Sequence, residues 1–440
     1  MNIAGTFPIS LSEDDLIPVE NVSKSLPHSP HPHTRNSEER VKEWLQQYGF
    51  YFNPFQHTSS EQDKHLNRYF VEHAGVSNAK KLEDRIIFAQ TGDGKSAVRL
   101  YVQSIYRDTL SSQHTFCFSY LIPQSIAESP PSTCDEHFFH LIQAAVRHIY
   151  VLLAVNGRDL PALKNPAIAN RFTEYFDRFL GVAAWWERLL EAWETHTFRP
   201  ITQELSPTFD DMDIPGEWEY IDLIWLKEWL DLLSERKRES PPTRERRFAV
   251  SDYREIWQDF LQLVIQAGLH RVMVLIDGFD AQAASSDRRE PGETHRKERM
   301  VRLAQPLIRA LLAKELGAQV CLKIFLPRDL YLPLSEDLAF GDPVDIIYWN
   351  NEQLNALLSL RLATASDGAV TRLAQLMEPS VHESFEAWLL AESQTSPRVL
   401  LHIVNKLLRF HVLGSTGNGL PGQISRETLA KIVTSYSRSP

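Results

Sequence analysis

Hydrophobic runs of strand length alternate with longer helical stretches along most of this chain. Residues 272–276 are five consecutive apolar residues, which is typical of a central parallel strand buried on both faces. Other apolar runs predict further strands at 86–88, 115–122, 320–326 and 345–348. Because strands alternate with helices, we predict a parallel α/β sheet with right-handed connections.

Helical periodicity fills the intervals between these strands. In residues 135–155 the apolar residues recur on one stripe, which predicts an amphipathic helix. Further helices are predicted at 97–108, 250–267 and 297–316, the last one preceded by a loop. Residues 160–235 also show helical periods and carry six Trp residues. We expect a helical insertion whose aromatic side chains either fill a core or form a partner surface.

The N-terminal part of the chain divides into two segments. Residues 1–37 are rich in Pro, Ser, Asn and His without a sustained period, which predicts a disordered tail. Residues 38–80 are expected to form a helical strap, with a short amphipathic helix at 38–48 and a second helix capped by Ser59 or Ser60. The strap either packs beside a bound ligand or serves core packing alone.

Length and composition narrow the class of protein. A chain of 440 residues is expected to form two or three domains. It has no apolar run near the length of a transmembrane helix and no apparent signal peptide. Its scattered cysteines (Cys117, Cys134 and Cys321) suit a reducing compartment and predict no zinc site. We therefore expect a cytoplasmic protein without a membrane segment.

The net charge of −11 argues against a dedicated nucleic-acid binder.

The strongest chemical signal follows the first predicted strand. It is an eight-residue loop of Ala89, Gln90, Thr91, Gly92, Asp93, Gly94, Lys95 and Ser96. Glycines allow backbone N–H groups to face a phosphate, and the following helix presents its positive end to the same anion. Lys95 would reach the β- and γ-phosphates, and the Ser96 hydroxyl would ligate Mg²⁺. The alternative is a plain glycine-rich turn.

A second signal lies at the end of the central strand. Asp277 follows the apolar run 272–276, and ligands of open α/β sheets bind at the carboxyl ends of strands. There Asp277 would hold Mg²⁺, directly or through water, beside Ser96. Asp280 either orients the attacking water or is a turn residue after Gly278. Because Ala281 stands where a strong base is often found, slow hydrolysis is expected.

These features together resemble the AAA+/STAND class of P-loop ATPases over roughly residues 80–412. Residues 348–362, YWNNEQLNALLSLRL, are similar to the start of the helical lid in origin-recognition-like and STAND members. Residues 394–410, QTSPRVLLHIVNKLLRF, are similar to the lid helix that carries the second sensor arginine, with Ser396 in place of the usual glycine. The sequence DGFD at 277–280 is closer to STAND and NACHT-type proteins than to ordinary AAA+ motors.

The resemblance implies roles for two arginines. Arg398 matches the second sensor arginine, which would contact the phosphates when the lid closes, and its planar fork suits that task. Arg328 lies just past the first sensor position, where it would sense the γ-phosphate. Arg361 is expected to be structural.

The resemblance also implies a domain plan. It places a P-loop NTPase core with a parallel sheet at 81–346, including the helical insertion at about 135–247. A C-terminal helical lid domain follows at 347–440.

The expected function is an ATP-binding, Mg²⁺-dependent conformational switch or slow ATPase in a signalling or defence-type assembly. No second catalytic motif and no sensor repeats are evident, so the output is expected to involve a protein partner or self-assembly. Two alternatives remain open: a nucleotide-stabilised scaffold that does not hydrolyse ATP, and a DNA-associated AAA+ regulator. The acidic charge argues against the second. No guanine-specific Asn-Lys-x-Asp run is present, so ATP is the expected nucleotide.

Overall fold

A five-stranded parallel sheet forms the centre of the molecule. The computed structural model describes residues 32–156, 160–180, 252–280, 293–335, 338, 343–379, 382–414 and 420–437. The strands are β1 Arg85–Ala89, β2 Thr115–Leu121, β3 Arg271–Asp277, β4 Val320–Pro327 and β5 Val344–Ile346. Their order is β2-β3-β4-β1-β5, and all neighbours are parallel, as the alternation of strands and helices predicts.

Helices flank this sheet and continue beyond it. In chain order they are α1 Pro32–Gln46, α2 Ala74–Ala79, α3 Lys95–Asp108, α4 Leu110–Gln113, α5 Gln124–Glu128, α6 Asp135–Asn156, α7 Pro166–Leu180, α8 Tyr253–Gln266, α9 Glu293–Leu312, α10 Tyr331–Leu334, α11 Asn351–Ala365, α12 His382–Glu392, α13 Pro397–Leu413 and α14 Arg426–Ser437. Short 3₁₀ turns lie at Ser60–Gln62, Leu66–Arg68, Pro161–Lys164, Arg328–Leu330 and Leu373–Leu376.

The sheet separates two apolar cores, because successive side chains of a strand point to opposite faces. In β3, Val272 and Val274 enter a large core that also contains apolar residues of α6 to α9. Met273 and Leu275 enter a smaller core with residues of α2 and α3. Since β3 is central and buried on both faces, its run of apolar residues is the pattern that such a position requires.

A third core joins the two ends of the described chain. Val41 and Trp44 of α1, together with Phe50 and Phe55, pack among the apolar side chains of α11 to α14. The Trp44 indole N–H is shared between two carbonyl oxygens of the segment before α14, each at 3.0 Å. Residues 38–55 and helices α11 to α14 therefore form one packed unit, called the helical body below.

Helix α1 begins earlier than the sequence predicts. It starts at Pro32, so part of the predicted disordered tail, residues 1–37, is helical. Proline suits a first helical position because its φ is fixed near the helical value and its missing N–H would have no helical partner there. Residues 1–31 lie outside the described residues.

The helix predicted after Ser59 or Ser60 is wrong, because this stretch forms only the two short 3₁₀ turns. Ser59 stands at the first turn but makes no capping hydrogen bond. The cause is Asp63, which is buried and accepts hydrogen bonds from the His65 main-chain N–H and the Tyr69 hydroxyl. These contacts replace the ones that a regular helix would make.

Other boundaries shift, or lie outside the described residues. Helix α5 follows β2 where the sequence analysis predicts no helix, and α9 starts at Glu293 rather than at 297. The structure describes α7 of the predicted helical insertion. The Trp residues of the insertion lie outside the described residues, and so do residues 281–292 of the loop predicted before α9.

Candidate functional site

The loop between β1 and α3 is shaped to turn its backbone inward. Gly92 and Gly94 have φ values of 97° and 87°, which side-chain-bearing residues rarely adopt. Helix α3 begins at Lys95, so its first N–H groups open onto this loop. A Cβ on Gly92 would lie 3.0 Å from Ser396 Oγ and 3.2 Å from Arg398 Cβ. The start of α13 therefore approaches the loop closely.

The start of α3 and the end of β3 meet at a hydrogen bond. Ser96 Oγ donates to Asp277 Oδ2 at 2.9 Å, although the residues are 181 positions apart in the sequence. Asp277 is buried, and its Oδ1 accepts the Gly278 main-chain N–H at 2.8 Å. The structure thus brings together the two residues predicted to ligate Mg²⁺. Both offer oxygen atoms, the ligand type that Mg²⁺ prefers.

Arg99 is a site residue that the sequence reasoning missed. Its side chain is 1% exposed, and its Nε lies 3.3 Å from Asp277 Oδ2. Its Nη1 donates to Ser119 Oγ at 2.8 Å, and this hydroxyl donates to Gln103 Oε1 at 2.6 Å. A signal was available, because Arg99 follows Ser96 by three positions and so lies on the same face of α3.

Lys95 forms an ion pair with Asp280. Their Nζ and Oδ2 atoms are 3.3 Å apart, and the Lys95 side chain is buried. The Asp280 carbonyl accepts a hydrogen bond from Arg296 Nη2 at 3.1 Å, which ties it to α9. In this conformation the Asp280 carboxylate is the counter-ion of Lys95, and its predicted role toward an attacking water stays a prediction.

Arg398 contacts the loop from the helical body. Its main-chain N–H donates to the Gly92 carbonyl at 3.3 Å, and the residue lines a cleft together with Gly92, Gly94 and Lys95. The Arg398 side chain is exposed and makes no ion pair within the described residues. A guanidinium without a counter-ion, beside inward-facing N–H groups, favours anion binding.

The other four predicted loop residues do not line this cleft. Ala89 is buried at the end of β1, whereas Gln90 and Thr91 are exposed. Asp93 is buried; its Oδ2 accepts the Gln90 main-chain N–H at 3.3 Å, and its carbonyl accepts the Trp349 indole N–H at 2.8 Å. Burial raises the pKa of Asp93 above its ordinary value, and the hydrogen bond from Gln90 opposes that shift in part.

Arg328 stands apart from the other predicted phosphate-contacting residues. It is exposed just past β4, and its guanidinium carbon lies 4.8 Å from the centre of the Tyr348 ring. It is close enough to Asp93 for its charge to lower the pKa of that carboxyl. Of the two predicted sensor arginines, the structure brings Arg398 to the cleft wall and leaves Arg328 outside it.

The wall of the cleft away from the loop is mostly apolar, with Thr58, Ser60 and Arg361 as its polar residues. Its apolar side chains come from the N-terminal segment between Phe55 and β1, from the residues just before α11 and from the helical body: Leu66, Tyr69, Val71, Trp349, Leu357 and Leu401. Apolar walls with a few convergent polar groups are typical of small-molecule sites. This wall therefore suits the flat ring system of a ligand whose anionic end lies at the loop.

A buried ion pair joins the N-terminal segment to the helical body beside this wall. Arg361 Nη2 lies 2.7 Å from Asp63 Oδ2, and the two side chains are 6% and 5% exposed. Arg361 Nη1 donates to the Pro54 carbonyl at 2.5 Å, and the guanidinium lies 4.4 Å from the centre of the Tyr69 ring. The structural role predicted for Arg361 agrees with these contacts.

Comparisons with known proteins add no further assignment. No protein-family description matches this chain, and no curated protein matches it.

No helix within the described residues combines the length and the apolar character that a membrane span needs. Within the same residues no group of three or more His, Cys, Asp or Glu side chains could hold a metal ion. A cation at Ser96 and Asp277 would therefore need further oxygen ligands, from water or from a bound molecule.

Proposed function

We propose that this protein binds Mg²⁺·ATP between its sheet and its helical body and acts as a P-loop NTPase of the AAA+/STAND class. The observation that carries the proposal is the Ser96–Asp277 hydrogen bond behind the inward-turned loop at the start of α3. Asp277 lies at the carboxyl end of a central strand, where ligands of open α/β sheets bind. A phosphate-binding loop beside a carboxylate from a distant strand is the arrangement that nucleotide hydrolases use.

The residues present fit the proposed metal and phosphates. The Ser96 hydroxyl and the Asp277 carboxylate would hold Mg²⁺, and the phosphates would supply further oxygens. Mg²⁺ would neutralise charge that develops on the phosphates. Lys95 would exchange its ion pair with Asp280 for a phosphate oxygen. A Cβ at Gly92 would lie 3.0 Å from Ser396 Oγ and 3.2 Å from Arg398 Cβ, so the glycine lets Arg398 approach the loop that would hold the phosphates.

The contact of Arg398 with the loop supports a role as a conformational switch. Its main chain already bonds to Gly92, and its guanidinium, on a residue that lines the same cleft, would reach a bound phosphate. A triphosphate would therefore tie the helical body to the sheet, and hydrolysis would release it. A ligand that prefers one of two conformations shifts the population toward it. The output would pass to a protein partner or to another copy of the chain in a signalling or defence-type assembly.

A second candidate is a nucleotide-stabilised scaffold that does not turn over. One observation favours it. Ala281 follows Asp280 in the sequence, so no acidic residue stands where a strong base is often found.

Nucleotide binding and phosphate release by the purified full chain test both candidates. We expect wild-type protein to bind ATP in the presence of Mg²⁺, and Lys95→Ala to weaken this binding by at least about 100-fold, since a close charge-assisted contact is lost. Lys431→Ala removes the same charge from an exposed position of α14 and is the matched control. Slow phosphate release that disappears in Lys95→Ala supports the switch, and binding without release supports the scaffold. Wild-type protein that does not bind ATP would overturn both.

A further inference from the structure

One buried guanidinium lies between two carboxylates that come from distant parts of the chain. Arg99 Nε is 3.3 Å from Asp277 Oδ2, and Arg99 Nη2 is 3.8 Å from Glu61 Oε1. Asp277 ends the central strand, whereas Glu61 belongs to the 3₁₀ turn of the N-terminal segment. Arg99 thus connects the predicted metal ligand to a residue outside the sheet.

The Glu61 carboxylate is held in place by its own turn. Its Oε2 accepts hydrogen bonds from the hydroxyls of Ser59 and Ser60, and its Oε1 faces Arg99. Its side chain is 45% exposed, so it can move relative to Arg99 without leaving a buried charge behind.

The turn that carries Glu61 is fastened to the helical body on both sides. Before Glu61, Phe55 packs in the core of the helical body and the Pro54 carbonyl accepts a hydrogen bond from Arg361. After Glu61, the Asp63 carboxylate pairs with the same arginine. Glu61 therefore lies in a turn that touches α3 and whose flanking residues are held by the helical body.

The residues that follow this turn contact α3, a helix packed on the sheet. The Ser104 hydroxyl of α3 donates to Asn67 Oδ1 at 3.1 Å, and the Phe70 ring stacks on Tyr101 of α3 at 3.9 Å. The Glu61–Arg99 pair therefore links two parts of the molecule. Glu61 belongs to the turn whose neighbours are held by the helical body, and Arg99 belongs to α3, the helix that carries Ser96.

We propose that Arg99 is a positioning residue shared between Asp277 and Glu61, and that this sharing couples Mg²⁺ at Asp277 to closure of the helical body. The inference rests on the proposed function. When the Asp277 carboxylate turns to Mg²⁺, its attraction for Arg99 weakens and Glu61 becomes the main partner of the guanidinium. The stronger Glu61–Arg99 pair then draws the helical body onto α3. Coupling of this kind is reciprocal, so loss of the Glu61 charge weakens Mg²⁺ binding.

The test measures ATP affinity of the full chain in Mg²⁺ and in EDTA, by a method that does not depend on turnover. The ratio of the two affinities isolates the contribution of the metal. In Glu61→Gln we expect this ratio to fall by at least about threefold, while the affinity in EDTA stays unchanged. Glu43→Gln removes the same charge from an exposed position of α1 and is expected to leave both affinities unchanged.

Each result has a distinct meaning. If Glu61→Gln leaves the ratio at the wild-type value, or lowers the affinity equally in Mg²⁺ and in EDTA, the coupling is overturned while the proposed function stands. If wild-type protein binds no ATP in either condition, the proposed function fails and the coupling fails with it. Because Glu61 is nearly half exposed, the amide variant is expected to fold, and its thermal unfolding midpoint checks this.

Discussion

Two buried cations on the same side of the sheet are paired in very different ways. Arg99 lies against the carboxylate of Asp277 and the hydroxyl of Ser119, with a second carboxylate nearby. Lys323 of β4 has no exposed surface and donates to the Asn78 main-chain carbonyl at 3.3 Å. Within the described residues it makes no ion pair.

The comparison shows in which part of the molecule a buried cation has anionic partners. Burial lowers the pKa of Lys323 from 10.5 to about 8, and Cys321 and Asp84 oppose this shift only in part. At the carboxyl end of the sheet, by contrast, a buried cation has a full set of anionic and polar partners. Matched charges at that end suit a site for an anion and a metal, whereas the lone lysine contributes a cost to folding.

The largest expected effect is the loss of the matched cation. Arg99→Met is expected to lower the free energy of unfolding by about 3–5 kcal/mol, because Asp277 would remain buried without its partner. Chemical denaturation at pH 7 measures this value. An unchanged denaturation midpoint would show that the pairing of Arg99 does not matter to the fold.

The second prediction extends the comparison to Arg361, the cation that pairs with Asp63. Arg361→Met is expected to destabilise the protein by about 3 kcal/mol. The cost is smaller than for Arg99, because the Arg361 side chain is 6% exposed and that of Arg99 only 1%. The double variant Arg361→Met with Asp63→Asn is expected to lose less than the two single losses added together. Additive losses in denaturation experiments would contradict a direct pairing.

The third prediction concerns a substitution that is expected to raise the free energy of unfolding. Lys323→Met is expected to stabilise the protein by about 1–3 kcal/mol at pH 7, because it removes a buried charge and keeps the volume of the side chain. The folded-state pKa of Lys323 lies below the unfolded value, so between about pH 8 and about pH 10.5 the unfolded state holds more protons. The stability of wild-type protein then rises relative to the variant, and the gain from the substitution shrinks.

Denaturation of wild-type protein and Lys323→Met across this pH range measures the difference. Subtracting the two curves removes the contribution of other groups, such as Cys321, whose pKa burial raises to about 11. A gain that grows with pH, or a loss at pH 7, would show that Lys323 has a partner that stabilises its charge.

The smallest expected effect comes from comparing a glycine of the candidate site with a glycine outside it. Gly92 and Gly268 have nearly equal φ values, 97° and 98°, but only Gly92 has the start of α13 against it. Alanine at either position is expected to cost about 1–2 kcal/mol of backbone strain. Gly92→Ala is also expected to weaken ATP binding by roughly tenfold, since the loop must shift. Equal ATP affinities in the two variants would contradict the role given to Gly92.

Much of the sheet could be predicted from the sequence, because buried parallel strands need apolar runs and residues 272–276 satisfy this requirement. The motifs also predicted that Ser96 and Asp277 lie close together, and in the structure Ser96 Oγ is 2.9 Å from Asp277 Oδ2. The turn at Ser60–Gln62 could not be predicted, because Asp63, whose buried contacts replace those of a regular helix, is also paired with an arginine 298 positions away. Glu61 was missed for the same reason, since its position depends on that turn and not on a local pattern.

The distance between the sheet and the helical body, with and without Mg²⁺·ATP, tests the central claim most directly. Spin labels at Asp108→Cys and Lys431→Cys would report this distance, and the native cysteines described by the structure are buried. We predict that Mg²⁺·ATP changes the distance distribution in an otherwise wild-type chain, and that Lys95→Ala abolishes the change. An unchanged distribution in protein that is saturated with Mg²⁺·ATP would contradict closure of the helical body onto the bound nucleotide.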